Sequence, residues 1–226
     1  MRRRKHLVLL LTLVGVLTVE SSGHLLVFGP VATDLLLTLV VFAVFLVVFQ
    51  DRRERAVAFV AATAVMAMIW SRYLTLPEQY EVGRSVAHHG LMVLFLGYAV
   101  TVILRNIYTR RAVTGDEVLG AVCGYLLAAG MWANAYALTE ILVPDAFSMS
   151  SPFRAPSTWH ARMAVFNYFS VVTLTTMGYG DITPARPPAT NLAMLEAVFG
   201  QFYIAVVVAQ LVGLRLAQAL APKDPP

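Results

Sequence analysis

The stretch SVVTLTTMGYGDITP, Ser170 to Pro184, is written unlike the apolar runs on either side of it. Gly178 and Gly180 alternate with Met177 and Tyr179, and Thr173, Thr175 and Thr176 come just before. Glycine enters positive φ at little steric cost, so this alternation lets the backbone change sense at every second residue. Successive carbonyl oxygens can then turn toward one line. A ring of such oxygens can replace the water shell of a hard, weakly hydrated cation. The Thr176 hydroxyl offers one more oxygen, while the side chains of Met177 and Tyr179 point away and brace the loop. Here the backbone itself is the working surface.

Of the 226 residues, 58% are hydrophobic and 13% are charged. Soluble domains carry about a quarter charged residues, which excludes that class. Apolar runs long enough to cross a bilayer recur, so the chain reads as a polytopic, all-α membrane protein. The formal charge of +4 is small, and basic residues beside membrane helices set orientation before they imply nucleic acid. No nucleic-acid partner is expected. Cys123 is the single cysteine. It rules out an intrachain disulfide and reads as a buried packing thiol.

Six spans are expected: His6–Val19, Val31–Phe49, Ala56–Leu74, Ala87–Leu104, Val118–Val143 and Ala189–Leu220. The first is short for a span. Its basic start followed by an apolar run resembles a signal peptide, but no small-x-small cleavage site follows at Val19-Glu20-Ser21-Ser22, so a retained helix is expected. A seventh apolar stretch, Ala164–Leu174, is too short to cross and predicts a re-entrant helix just before the glycine motif.

Basic residues orient this arrangement. With the N-terminus inside, the cytoplasmic segments hold Arg2 to Arg4, Lys5, Arg52, Arg53, Arg55, Arg105, Arg110, Arg111, Arg215 and Lys223. The outer segments hold only Arg72, Arg84, Arg154, Arg162 and Arg186. The bias places both termini in the cytoplasm and the Ser170–Pro184 stretch toward the outside.

The polar segment RNIYTRRAVTGDE divides the chain into a four-helix part, 1–113, and a second part, 114–221. Thr114 and Glu117 have the spacing of a capping box at the start of the fifth helix. Outer residues 144–163, PDAFSMSSPFRAPSTWHARM, are Pro- and Ser-rich and read as an irregular rim. Residues 222–226 are expected as a short cytoplasmic tail, too short for a cytosolic ligand-binding domain.

TLTTMGYGD followed by ITP, after a short helix and between two spans, resembles the potassium-channel signature. The surrounding arrangement is similar to the pore module of bacterial potassium channels and covers about Glu117 to Leu220. A bare G-Y-G is common, but T-x-T-T-x-G-Y-G-D in this setting is specific. The resemblance implies an outer helix at 117–143, a pore helix at 161–175, a filter at 176–181 and an inner helix at 187–220. It implies K+ sites made by the carbonyls of Thr176, Met177, Gly178 and Tyr179 with the Thr176 hydroxyl. Gly180 completes that loop, Asp181 caps the outer mouth, and Thr175 supports the filter. One motif per chain implies a homotetramer. No cofactor is implied beyond K+ as the transported ion; the other partner is membrane lipid, in the bacterial inner membrane. The pore helix would point its partly negative C-terminal end at the cavity, favouring cations.

Two positions depart from frequent family choices. Met177 stands where valine is usual, and its flexible thioether braces the loop less firmly. Val172 stands where some relatives carry a glutamate that reaches the Asp181 position. Tyr168 occupies a place where an aromatic donor does this in other members, so a Tyr168–Asp181 hydrogen bond is expected.

In the inner helix, Gly200 matches the position of a glycine hinge in relatives, and close helix packing explains it equally well. Ile204, Val208 and Leu211 recur at helical spacing, which fits a cavity lining or a face packed on the fifth helix. Glu196 is an intramembrane carboxylate and therefore a functional candidate; bonding behind the filter is favoured over contact with ions.

The fourth span has no arginine between Ala87 and Leu104, so a conventional voltage sensor is not expected. His88 and His89 point about 100° apart on a helix and form no convergent site in one chain; they read as interfacial. Asp34 and Glu140 read as solvated residues near helix ends.

The function implied is passive, potassium-selective conduction. The alternative is a non-conducting or regulatory subunit that assembles with other pore-forming chains. A transporter-type subunit is disfavoured by the single well-formed loop, and an enzyme by the lack of a nucleophile–base set.

Overall fold

The computed structural model describes residues 5–22, 29–49, 51–74, 77–109, 114–153 and 159–220. The expected tail at 222–226 lies outside them, as do Arg2 to Arg4, Arg110, Arg111, Arg154 and Lys223 of the orientation argument.

Apolar runs without internal proline become helices: α1 (Lys5–Ser22), α2 (Gly29–Val48), α3 (Arg52–Ser71), α4 (Glu81–Thr109) and α5 (Gly115–Leu142). After the outer loop come α6 (Trp159–Leu174) and α7 (Pro187–Leu220). Five of them, α2, α3, α4, α5 and α7, are long and apolar enough to cross a membrane, whereas α1 holds only the shorter apolar stretch His6–Val19. Proline suits the first turn of a helix, where its missing N–H is not needed, and α7 opens on Pro187 and Pro188. Thr114 begins α5 with the capping box its spacing predicts: the Thr114 side chain accepts from Asp116 N–H, and Thr114 N–H donates to Glu117 Oε2 at 2.7 Å.

One continuous core runs through the front helices into α5 and α7, from Leu9 and Val44 to Leu127 and Tyr203. The front four helices are therefore not packed apart from the rest. The α1 helix is tied to α5 by polar contacts as well: His6 N–H donates to Asp116 Oδ1 at 3.2 Å, and Cys123 Sγ donates to His6 O at 3.4 Å. A second core gathers Tyr136, Phe147, Phe166 and Phe169 between α5, α6 and the outer loop. These rings meet edge-on or tilted at 5.0–5.5 Å, the geometry aromatic quadrupoles favour.

The segment expected to form an irregular rim is not wholly irregular. Within it β1 (Phe147–Met149) pairs antiparallel with β2 (Ile182–Pro184), Phe147 opposite Pro184 and Met149 opposite Ile182. The pairing extends beyond the strands, since Ser150 N–H donates to Asp181 O at 2.8 Å and Ala185 N–H to Ala146 O at 2.7 Å. The segment leaving the glycine motif is thereby pinned to the segment leaving α5. The short ladder was illegible in sequence because neither strand alternates long enough to announce itself.

Three polar expectations are corrected. Asp34 is not solvated: it is 1% exposed, forms an ion pair with Arg72 Nη2 at 3.2 Å, accepts from Tyr73 Oη at 2.9 Å, and lies 3.3 Å from His160 Nε2. His88 and His89 of α4 are not interfacial but buried, with His89 Nδ1 2.9 Å from Asn134 Oδ1 on α5. Glu140, in the last turn of α5, is half-buried rather than fully solvated. For Asp34 and His89 a partner distant in sequence replaces water, which local pattern cannot reveal.

Candidate ion-conduction site

The α6 helix positions the glycine motif by the way it ends. Thr176 N–H donates to Thr173 O at 3.0 Å and Met177 N–H to Val172 O at 2.9 Å. These crossed bonds are a Schellman cap, which requires a left-handed residue just past the helix. Glycine usually fills that place; here Thr176 does, with φ 59°. A β-branched residue in that region carries strain of about 1–3 kcal/mol, tolerated where its surroundings enforce it. The cap uses the carbonyls of Val172 and Thr173. The next one, Leu174 O, accepts from Tyr125 Oη at 2.8 Å.

Beyond the cap the backbone alternates. Positive φ appears at Thr176, at Gly178 (57°) and at Gly180 (77°), while neither Met177 nor Tyr179 has it. A Cβ on Gly178 or Gly180 would meet nothing within 4 Å. Backbone sense, not lack of room, is what demands glycine at both positions. In the single chain Met177 and Tyr179 leave their side chains 62% and 63% exposed.

The motif is held at its C-terminal end by Asp181. Tyr168 Oη donates to Asp181 Oδ2 at 2.5 Å, and Ile182 N–H donates to Asp181 Oδ1 at 3.0 Å. Phe153 stacks on Tyr168 with centroids 5.1 Å apart. Hydrogen bonding to Asp181, with some desolvation, raises the Tyr168 phenol to about 12, so it remains a donor at neutral pH. The Thr175 hydroxyl turns back on its own helix, where Oγ1 donates to Val171 O at 2.7 Å. Val172 is buried and leaves Asp181 to Tyr168.

Behind α6 lies a buried polar network. Glu196, Ser170 and Tyr136 are each fully buried. Tyr136 Oη donates to Glu196 Oε2, and the Ser170 hydroxyl lies within hydrogen-bonding reach of both Glu196 Oε1 and Ala129 O. Glu196 thus joins α5, α6 and α7 behind the glycine motif.

Gly200 sits inside α7, which runs unbroken through it. A Cβ there would stand 2.3 Å from Leu174 O, so glycine is required for α7 to lie against the end of α6. Ile204 and Val208 are half-exposed, 46% and 51%, on one face of α7. Leu211 is separate from them: it packs against the main core. Sequence reading passed over Gln201, whose Nε2 reaches Thr176 Oγ1 at 3.4 Å. Only its place beside Gly200 could have drawn attention to it.

Residues 146–214 match a protein-family model described as "Ion channel". No curated protein and no solved structure matches the chain. The matched stretch is under a third of the chain. It begins just before β1, contains α6, the glycine motif and β2, and ends within α7. The chain is thus a mostly helical membrane protein whose residues 146–214 carry an ion channel module.

Proposed function

We propose that the chain forms a homotetrameric, potassium-selective channel that conducts passively. The observation that carries this reading is the alternation of positive φ at Thr176, Gly178 and Gly180 directly after the capped end of α6. Four such strands around an axis would present the carbonyls of Thr176, Met177, Gly178 and Tyr179, with the Thr176 hydroxyl, as stacked oxygen rings for dehydrated K+. Each ion would exchange water for oxygens of similar number, which permits both entry and release. The Tyr168–Asp181 bond and the β1–β2 ladder support the outer end of each strand. Gly200 and Tyr125 support the inner end.

In this reading α1 is retained as a sixth span, both termini face the cytoplasm of a bacterial cell, and the pore opens without a conventional voltage sensor. Purified protein in liposomes with a cation-flux readout tests the function. K+ flux well above Na+ flux is expected; equal flux, or none, overturns it. Native mass spectrometry should find four chains. A cysteine introduced near Arg154 should react with an impermeant reagent from the outside only.

A further inference from the structure

The run Gly200-Gln201-Phe202-Tyr203 on α7 divides its work among its residues. Gly200 lets α7 touch Leu174 O at the end of α6. Tyr203 fixes α7 to α5: its Oη donates to Ala121 O at 2.7 Å, in a space that a Cβ on Gly124 would enter at 2.5 Å. With the helix held at both points, one of the two residues between them is carried to the base of the glycine motif. That residue is Gln201, with Nε2 3.4 Å from Thr176 Oγ1. Among 201, 204, 205, 208 and 212, which share one face of α7, it is the single polar side chain.

We infer that Gln201 is a positioning residue for the innermost cation site and one determinant of its selectivity; this rests on the potassium-channel reading above. A threonine hydroxyl has one hydrogen and two lone pairs. The Gln201 amide takes one lone pair of Thr176 Oγ1. The hydroxyl then loses its free rotation, and its second lone pair is held ready for a cation while its hydrogen is turned elsewhere. Without Gln201 the hydroxyl can present its hydrogen to the ion, which repels it. Around a fourfold axis the same constraint acts four times at one ring. The carboxamide is neutral, so it orients the ring without adding charge of its own.

The test uses the full-length protein in liposomes. Gln201→Met keeps length and removes the hydrogen bond; Gln201→Asn keeps the amide but withdraws it. The probe is barium, a divalent cation close to potassium in radius, added from the cytoplasmic side. Both variants should weaken barium block about two- to tenfold, the range that loss of one net hydrogen bond covers, and lower the K+/Na+ permeability ratio. Their melting temperatures should stay near that of the parent. In a Thr176→Ala background, Gln201→Met should produce no further change, since the shared hydroxyl is gone. Block and permeability ratio unchanged in both variants, or an equal loss in the Thr176→Ala background, would overturn the role of Gln201. Absence of K+ flux in the parent protein would instead overturn the channel reading, and the inference with it.

Discussion

Tyr168 and Asp181, one on α6 and one just past the second glycine, are joined by a 2.5 Å hydrogen bond from phenol to carboxylate. The bond closes a ring of backbone that holds the entire glycine motif between its ends. Because Asp181 is also tied through its backbone to Ser150, the closure is anchored on the outer loop as well. Tyr168→Phe removes only the donor, and hydrogen bonds to charged groups are worth about 1.5–3 kcal/mol. Current through the variant should decay faster during sustained opening, measured under steady K+ gradients; unaltered kinetics would refute the role. The pH dependence has a definite sign. The phenol is raised from 10.0 to about 12, so its contribution is complete below pH 10 and is lost as pH rises through about 12.

Gly200 supplies a sharper steric test. A methyl group there would stand 2.3 Å from Leu174 O, a backbone atom that cannot swing aside as a side chain can. Gly200→Ala must push α7 from α6, and overpacking of this kind costs about 1–3 kcal/mol. The variant should melt at a lower temperature in detergent and conduct poorly. Gly213→Ala serves as the control, because a Cβ there meets nothing within 4 Å. Equal behaviour of the two variants would remove close packing as the reason for Gly200.

What the sequence could show and what it could not divide along a physical line. Helices and the Thr114–Glu117 box were legible because apolar runs and caps are local patterns. The need for glycine at 178 and 180 was legible because φ is a property of single residues. Asp34 and the His88–His89 pair were misread, since burial depends on partners such as His160 and Asn134, 126 and 45 positions away. The αL conformation of Thr176 was hidden for a related reason: nothing in a threonine announces it, and the Schellman bonds to Val172 and Thr173 impose it.

Glu196 predicts a difference between polar and apolar replacements. Glu196→Gln keeps an oxygen to accept from Tyr136 and an amide that can bond Ser170, so it should fold and conduct. Glu196→Leu strands the buried Tyr136 hydroxyl, while Ser170 keeps Ala129 O as its acceptor, and an unsatisfied buried group costs about 1–3 kcal/mol. Thermal melts should place Glu196→Leu well below Glu196→Gln. A double variant, Glu196→Leu with Tyr136→Phe, should recover part of the loss by removing the stranded donor. If Glu196→Leu melts with the parent, the network does not hold α5, α6 and α7 together.

Asp34 predicts that the front helices act on α6 directly. Its carboxylate, 1% exposed, collects Arg72 at 3.2 Å and Tyr73 at 2.9 Å near the end of α3 and meets His160 at 3.3 Å in the first turn of α6. Those contacts join α2 and α3 to the same helix that carries the glycine motif at its other end. Removing one partner of a buried ion pair costs about 3–5 kcal/mol, because the remaining charge stays in place without compensation. Asp34→Ala should therefore lower the melting temperature strongly, and Asp34→Asn less so, as its amide oxygen still accepts from Tyr73. His160→Ala should separate stability from coupling: it leaves the Arg72 and Tyr73 contacts intact but cuts the tie to α6. Its melting temperature should change little, while its conductance or open time should shift by a measurable factor in single-channel records. A His160→Ala variant indistinguishable from the parent would mean that the front helices merely pack beside α6 and do not steer it.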